Sequence, residues 1–68
     1  MYEKFDSVKG EVTYNSSKGV YIKINDNYSG FIPRLFLKTG TQVFATVKAV
    51  KEDGFPILSL DSVVYDAA

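Results

Sequence analysis

Apolar and polar residues alternate along most of this chain with a period of two. That is the pattern of strands that show one face to a core and the other to water. Val8, Gly10, Val12 and Tyr14 alternate with Lys9, Glu11 and Thr13, which predicts a first strand with the former four on one face. Asn15, Ser16, Ser17, Lys18 and Gly19 have the chemistry of a turn. Val20, Ile22 and Ile24 then alternate with Tyr21 and Lys23 as strand two. Asn25, Asp26 and Asn27 form a second tight turn of residues that tolerate left-handed backbone. Strand three covers residues 28–33 with Gly30 inside it, and a glycine within a strand marks a bend or bulge where a barrel closes. Residues 34–38 have room for at most one short helical turn before Thr39, Gly40 and Thr41 break it. Strand four covers residues 42–50, with Val43, Ala45 and Val47 on one face; the apolar register slips by one between Val47 and Val50, as a β-bulge requires. Lys51, Glu52, Asp53 and Gly54 make a hairpin turn into strand five, residues 55–60.

Five short strands with glycine-punctuated turns predict an all-β chain closed into a small barrel, because closure removes edges that would otherwise pair with other chains. The 68 residues allow one domain, 1–68, with its core in residues 7–60 and loose ends at 1–6 and 61–68. A domain of this size buries only about 60% of its unfolded surface. With no cysteine, no disulfide assists it, so the core rests on apolar side chains, of which 46% hydrophobic residues, including five Phe and five Tyr, give an adequate supply.

The absence of histidine and cysteine narrows the chemistry further. It removes the commonest general base, the commonest metal ligand and every thiolate site. No Ser/His/Asp or Cys/His set exists, and no glycine-rich phosphate loop is present. Asp26, Glu52 and Asp53 lie in turns, where carboxylates serve turn chemistry, and too few ligands surround them for a metal. The expectation is a non-catalytic protein without cofactor or metal. Apolar runs are far shorter than the roughly 20 residues that span a bilayer, and no charged-then-apolar leader opens the chain, so a cytoplasmic location without membrane contact is expected. Eight Lys plus Arg balance eight Asp plus Glu. A neutral chain counts against strong binding to duplexes or long RNA and leaves room for a local basic patch.

One series of motifs goes beyond composition. Gly10-x-Val12 is followed by Lys18-Gly19-Val20-Tyr21-Ile22, then Gly30-Phe31-Ile32-Pro33, then Gly40-x-x-Val43-x-Ala45-x-Val47-x-x-Val50, and finally Leu58-Ser59-Leu60. In order and spacing this resembles the S-one RNA-binding domain over roughly residues 8–60. That resemblance implies a five-stranded OB-fold barrel, with an SH3-like barrel as the structural alternative. It also implies a single-strand binding face on strands two and three. The family contacts RNA through two aromatics in F-G-A-F, the His of G-L-V-H, an Asp ending strand four and an Arg opening strand five. Those positions hold Lys18, Tyr21, Pro33, Lys51 and Phe55 here, so Tyr21 alone keeps its character. The linker between strands three and four is also several residues shorter than in the family.

Read from the residues, Tyr21 shares a strand face with Lys23 and sits near Lys18, the minimum for stacking a base and holding its phosphate. Arg34 follows strand three, where its guanidinium can stack on a base or pair with phosphate. Pro33 offers an apolar platform. Phe55, between Gly54 and Pro56, is either a second stacking platform or, preferably, a plug of the barrel end. Leu35 and Phe36 are expected to cap the barrel bottom. Lys48 and Lys51 would join Lys18 and Lys23 in a basic strip if Glu3, Asp6, Glu11, Asp61 and Asp66 lie elsewhere. The leading expectation is a module binding single-stranded RNA, or single-stranded DNA, through Lys18, Tyr21, Lys23, Pro33, Arg34, Lys51 and Phe55. The alternative is a protein-interaction or scaffold barrel that has lost RNA binding, its partner patch formed by Phe31, Phe36 and Phe55.

Overall fold

The computed structural model describes residues 3–25 and 28–65. The turn residues Asp26 and Asn27, the Asp66 carboxylate and the extreme ends lie outside the described residues. Five strands form, β1 (Ser7–Ser16), β2 (Gly19–Asn25), β3 (Tyr28–Pro33), β4 (Gln42–Val50) and β5 (Pro56–Tyr65), and they close in the order β1-β2-β3-β5-β4. All neighbours are antiparallel except β3 and β5, which meet in parallel at Phe31 and Ile57. This is the arrangement of a small OB-fold barrel. Among the described residues no helix is long and apolar enough to cross a membrane.

The alternating positions converge as their period requires. Val8, Val12, Val20, Ile22, Ile32, Val43, Ala45, Val47 and Leu58 are buried together, and Ile24, Leu35, Leu37 and Leu60 pack against them. Gly30 belongs to this interior because Leu58 fills the space where its side chain would be: a Cβ at Gly30 would lie 2.6 Å from Leu58 Cδ1 and 3.2 Å from Cγ. The glycine therefore brings β3 close to β5 at the closure of the barrel. Gly30→Ala is expected to force Leu58 off its packing at about 1–3 kcal/mol. In a domain this small each kcal/mol lowers the melting temperature by about 4–8 °C, so an unchanged melting curve would show that Leu58 yields freely and would refute this account.

The structure changes the sequence reading at several points, each for a local reason. In β1 the register with β2 shifts between Val12 and Tyr14. Thr13 is the extra residue of a bulge, so Tyr14 does not share the inner face of Val12 and is 60% exposed. Such a slip cannot be seen when the residue after it is itself apolar. β1 runs on through Asn15 and Ser16, and the turn shortens to Ser17 and Lys18. The bulge expected between Val47 and Val50 is present as a register shift between Val47 and Ala49. β5 continues to Tyr65 instead of ending at Leu60, because Ser62, Val63 and Tyr65 pair with Phe44, Val43 and Gln42. The lead-in is also tied down: Phe5 N–H donates to Val47 O at 2.7 Å, and Val47 N–H donates to Asp6 O at 2.7 Å.

The linker of residues 34–41 takes no helical turn. Its backbone is fastened to β1 and to the β1–β2 turn instead. Arg34 N–H donates to Lys18 O (2.8 Å), Gly40 N–H to Val12 O (2.8 Å) and Val12 N–H to Thr41 O (2.9 Å). The Asn15 side chain grips Leu37 on both sides, donating from Nδ2 to Leu37 O and accepting at Oδ1 from Leu37 N–H (3.0 Å). Leu35 and Leu37 turn inward as a result. Phe36 does not cap the barrel bottom, as its composition suggested, but lies 76% exposed.

Candidate nucleic-acid interface

The outward face of β2 and β3 is set by the same alternation that builds the core. With Val20 and Ile22 inside, Tyr21 and Lys23 point out; with Gly30 and Ile32 inside, Ser29, Phe31 and Pro33 point out. Antiparallel register then places Tyr21 opposite Phe31, Lys23 opposite Ser29 and Gly19 opposite Pro33. On the other side the bulge at Thr13 sets Tyr14 opposite Tyr21.

Tyr21 thus becomes the centre of an aromatic surface. Its ring centroid lies 4.9 Å from Phe31, 6.0 Å from Tyr14 and 6.3 Å from Phe55, with tilted planes throughout. These separations fall in the range of favourable aromatic pairs. Phe55 comes from the β4–β5 turn. Gly54 adopts a positive φ of 87° there and donates to Lys51 O at 2.8 Å, Lys51 N–H donates to Phe55 O at 2.9 Å, and Asp53 Oδ1 accepts from Phe55 N–H at 2.9 Å. The turn therefore holds Phe55 half-buried against Tyr21. It neither plugs the barrel end nor stands free. Tyr28, 45% exposed, opens β3 close to the same turn and shares a shallow depression with Phe55.

The cations are distributed unevenly around this surface. Lys23 has Glu11 directly across the strand pair, so the acid expected to lie elsewhere is its neighbour. The stronger grouping centres on Arg34. Its backbone takes a positive φ of 59°, unusual for a residue with a side chain, and is fixed by the bond to Lys18 O. Arg34 borders two grooves. One, of about 400 Å³, runs between Pro33, Lys48 and Ser59 over a floor that includes Ile32 and Leu58. The other joins Arg34 to Lys18 and the Ser16–Ser17 turn. Lys51 stands beside Phe55 in the β4–β5 turn. Several carboxylates are engaged locally: Asp6 accepts from Glu3 N–H, Asp53 from Phe55 N–H and Asp61 from the Thr46 hydroxyl at 2.6 Å.

Of the residues expected from sequence, Tyr21, Pro33 and Phe55 are brought to one face, with Lys23 at one end of it, Lys18 and Arg34 at the other, and Lys51 beside Phe55. Tyr14 is the member that the sequence concealed. The sequence carries no signal for it, because Tyr14 itself continues the apolar alternation of β1.

No family model matches the chain, and no curated protein does. Solved structures do. The barrel resembles the uncharacterized protein MJ1198 from Methanocaldococcus jannaschii with a TM-score of 0.74 at 19% identity, over 87% of this chain and 92% of that one. It resembles GSP13 from Bacillus subtilis with a TM-score of 0.70 at 22% identity, over 91% of this chain and 56% of that one. The shared property is the fold. The chain spans a little over half the length of GSP13.

Proposed function

We propose that this chain is a non-catalytic OB-fold module that binds single-stranded nucleic acid, RNA in the first place, in the cytoplasm. The observation that carries this reading is the open cluster of Tyr14, Tyr21, Phe31 and Phe55, centred on the outer face of β2 and β3 and flanked by cations of the neighbouring turns and linker. Every base has a π-face, so stacking on such a surface tolerates sequence, while lysine and arginine hold the phosphates. The resemblance to the S-one domain, whose members bind on strands two and three, supports this reading. With few cations in reach, affinity is modest and falls with salt. A module of this kind gains strength by acting beside other modules or copies.

The test is a two-dimensional NMR titration of the isotopically labelled chain with short mixed-sequence RNA and DNA oligomers at low salt. Shifts gathered at residues 18–23, 30–34 and 55 support the reading, and the tighter ligand names the polymer. A spectrum unmoved at millimolar oligomer defeats it and turns attention to a protein partner for the same apolar face. The electrostatic part has its own check. Removing one phosphate-contacting charge from a single-strand binder reduces the slope of log K against log salt by about 0.7. Lys23→Gln should produce that change with the fold intact. An unaltered slope would place Lys23 off the path of the strand.

A further inference from the structure

Phe36 is the most exposed large apolar side chain among the described residues, yet the linker that carries it is not loose. Arg34 is bonded to Lys18 on one side, and Leu37 is gripped at both backbone groups by Asn15 on the other. Leu35 and Leu37 are drawn inward, so alternation turns Phe36 out, and the fastened backbone keeps the ring in water where a slack loop would lay it against the barrel. Phe36 forms one wall of the groove bounded by Ser16, Ser17, Lys18, Arg34 and Leu35, with a volume of about 390 Å³. Two of these residues are cations and none is acidic. Gly19 lies between this groove and the aromatic face: it lines the groove, and a Cβ on it would come within 2.8 Å of Phe31 Cζ. No side chain at that position separates the two surfaces.

We propose that the groove is a second nucleotide subsite, in which a base stacks on Phe36 while Lys18 and Arg34 hold the adjoining phosphate. This rests on the reading of the chain as a single-strand binder. It adds a site on the β3–β4 linker, reached by a strand that passes from Tyr21 across Gly19. Aromatic ring, cations and hydroxyls are held on pinned backbone, which is what a preorganised site requires. The absence of acids from its lining selects an anionic occupant.

The chain has no tryptophan, so Phe36→Trp introduces a single indole whose fluorescence reports stacking. A uridine decanucleotide should quench it over the same concentrations that shift the Tyr21 amide, and a dinucleotide that covers only the aromatic face should not. Phe36→Ala, and Phe36→Leu if the alanine variant folds poorly, should lose about tenfold in affinity for the decanucleotide and nothing for the dinucleotide. An indole left unquenched by a decanucleotide that shifts Tyr21 would overturn the subsite and leave the aromatic face standing, as would unchanged decanucleotide affinity in both Phe36 variants. Failure of every oligomer to bind the unaltered chain would remove the proposed function and the subsite together.

Discussion

Leu58→Ala should lower the unfolding free energy by about 2–5 kcal/mol, the usual cost of truncating a buried leucine. Leu58 is fully buried on β5, pairs with Val47 on β4 and fills the space left by Gly30 on β3. It therefore packs against strands on both sides of it. The cavity would open where the barrel closes, between elements held by little backbone pairing and unable to collapse without separating. At roughly 0.05–0.15 kcal/mol per residue, a chain of 68 residues has only about 3–10 kcal/mol in total. The variant should thus sit close to its unfolding threshold. Urea unfolding followed by circular dichroism measures this directly. A loss below about 1 kcal/mol would mean that the core is not organised around Leu58.

Tyr21→Ala should weaken binding to every single-stranded oligomer by about 5- to 150-fold, the equivalent of one lost stacking interaction at about 1–3 kcal/mol. The upper part of that range is expected, because Tyr21 touches Tyr14, Phe31 and Phe55 and its removal leaves three rings without their common neighbour. Tyr21→Phe keeps the π-face and the ring contacts and should bind almost as the unaltered chain does. Titration by NMR or fluorescence anisotropy at one fixed salt concentration separates the two variants. Equal affinities for Tyr21→Ala and Tyr21→Phe would show that no base stacks there. If Tyr21→Ala instead unfolds the domain, seen in the same spectra, the ring is structural first.

Much of this architecture could be read from period and punctuation. The strands of residues 28–33 and 42–50, the bulge after Val47 and the turn at Gly54 were all legible, because each rests on local chemistry: alternation, a register slip between flanking valines, a glycine at positive φ. What escaped depends on partners distant in sequence. Ser62, Val63 and Tyr65 read as a tail until β4 is there to pair with them. Phe36 reads as a core residue until Asn15, distant in sequence on β1, fixes the linker backbone at Leu37. Tyr14 fits the inner alternation of β1 and leaves it through a bulge that only the pairing with β2 reveals. The candidate site was half legible for the same reason. Tyr21 and Lys23 follow from alternation within one strand, whereas the grouping of Arg34 with Lys18 and Lys48 is made by tertiary placement.

The parallel meeting of β3 and β5 at Phe31 and Ile57 bears on the order of assembly. β1, β2 and β3 are a meander of sequential neighbours, and β4 with β5 is a hairpin; both can form from local encounters. The barrel exists only when these two units dock, through the extended β1–β4 ladder on one side and the brief β3–β5 contact on the other. Contacts between distant parts of a chain close late and slowly, and the contact with less backbone pairing is the one that parts first in local opening. Three of the four rings of the cluster, Tyr14, Tyr21 and Phe31, already belong to the meander. Phe55 arrives with the hairpin, so the completed aromatic surface marks a barrel that has finished closing.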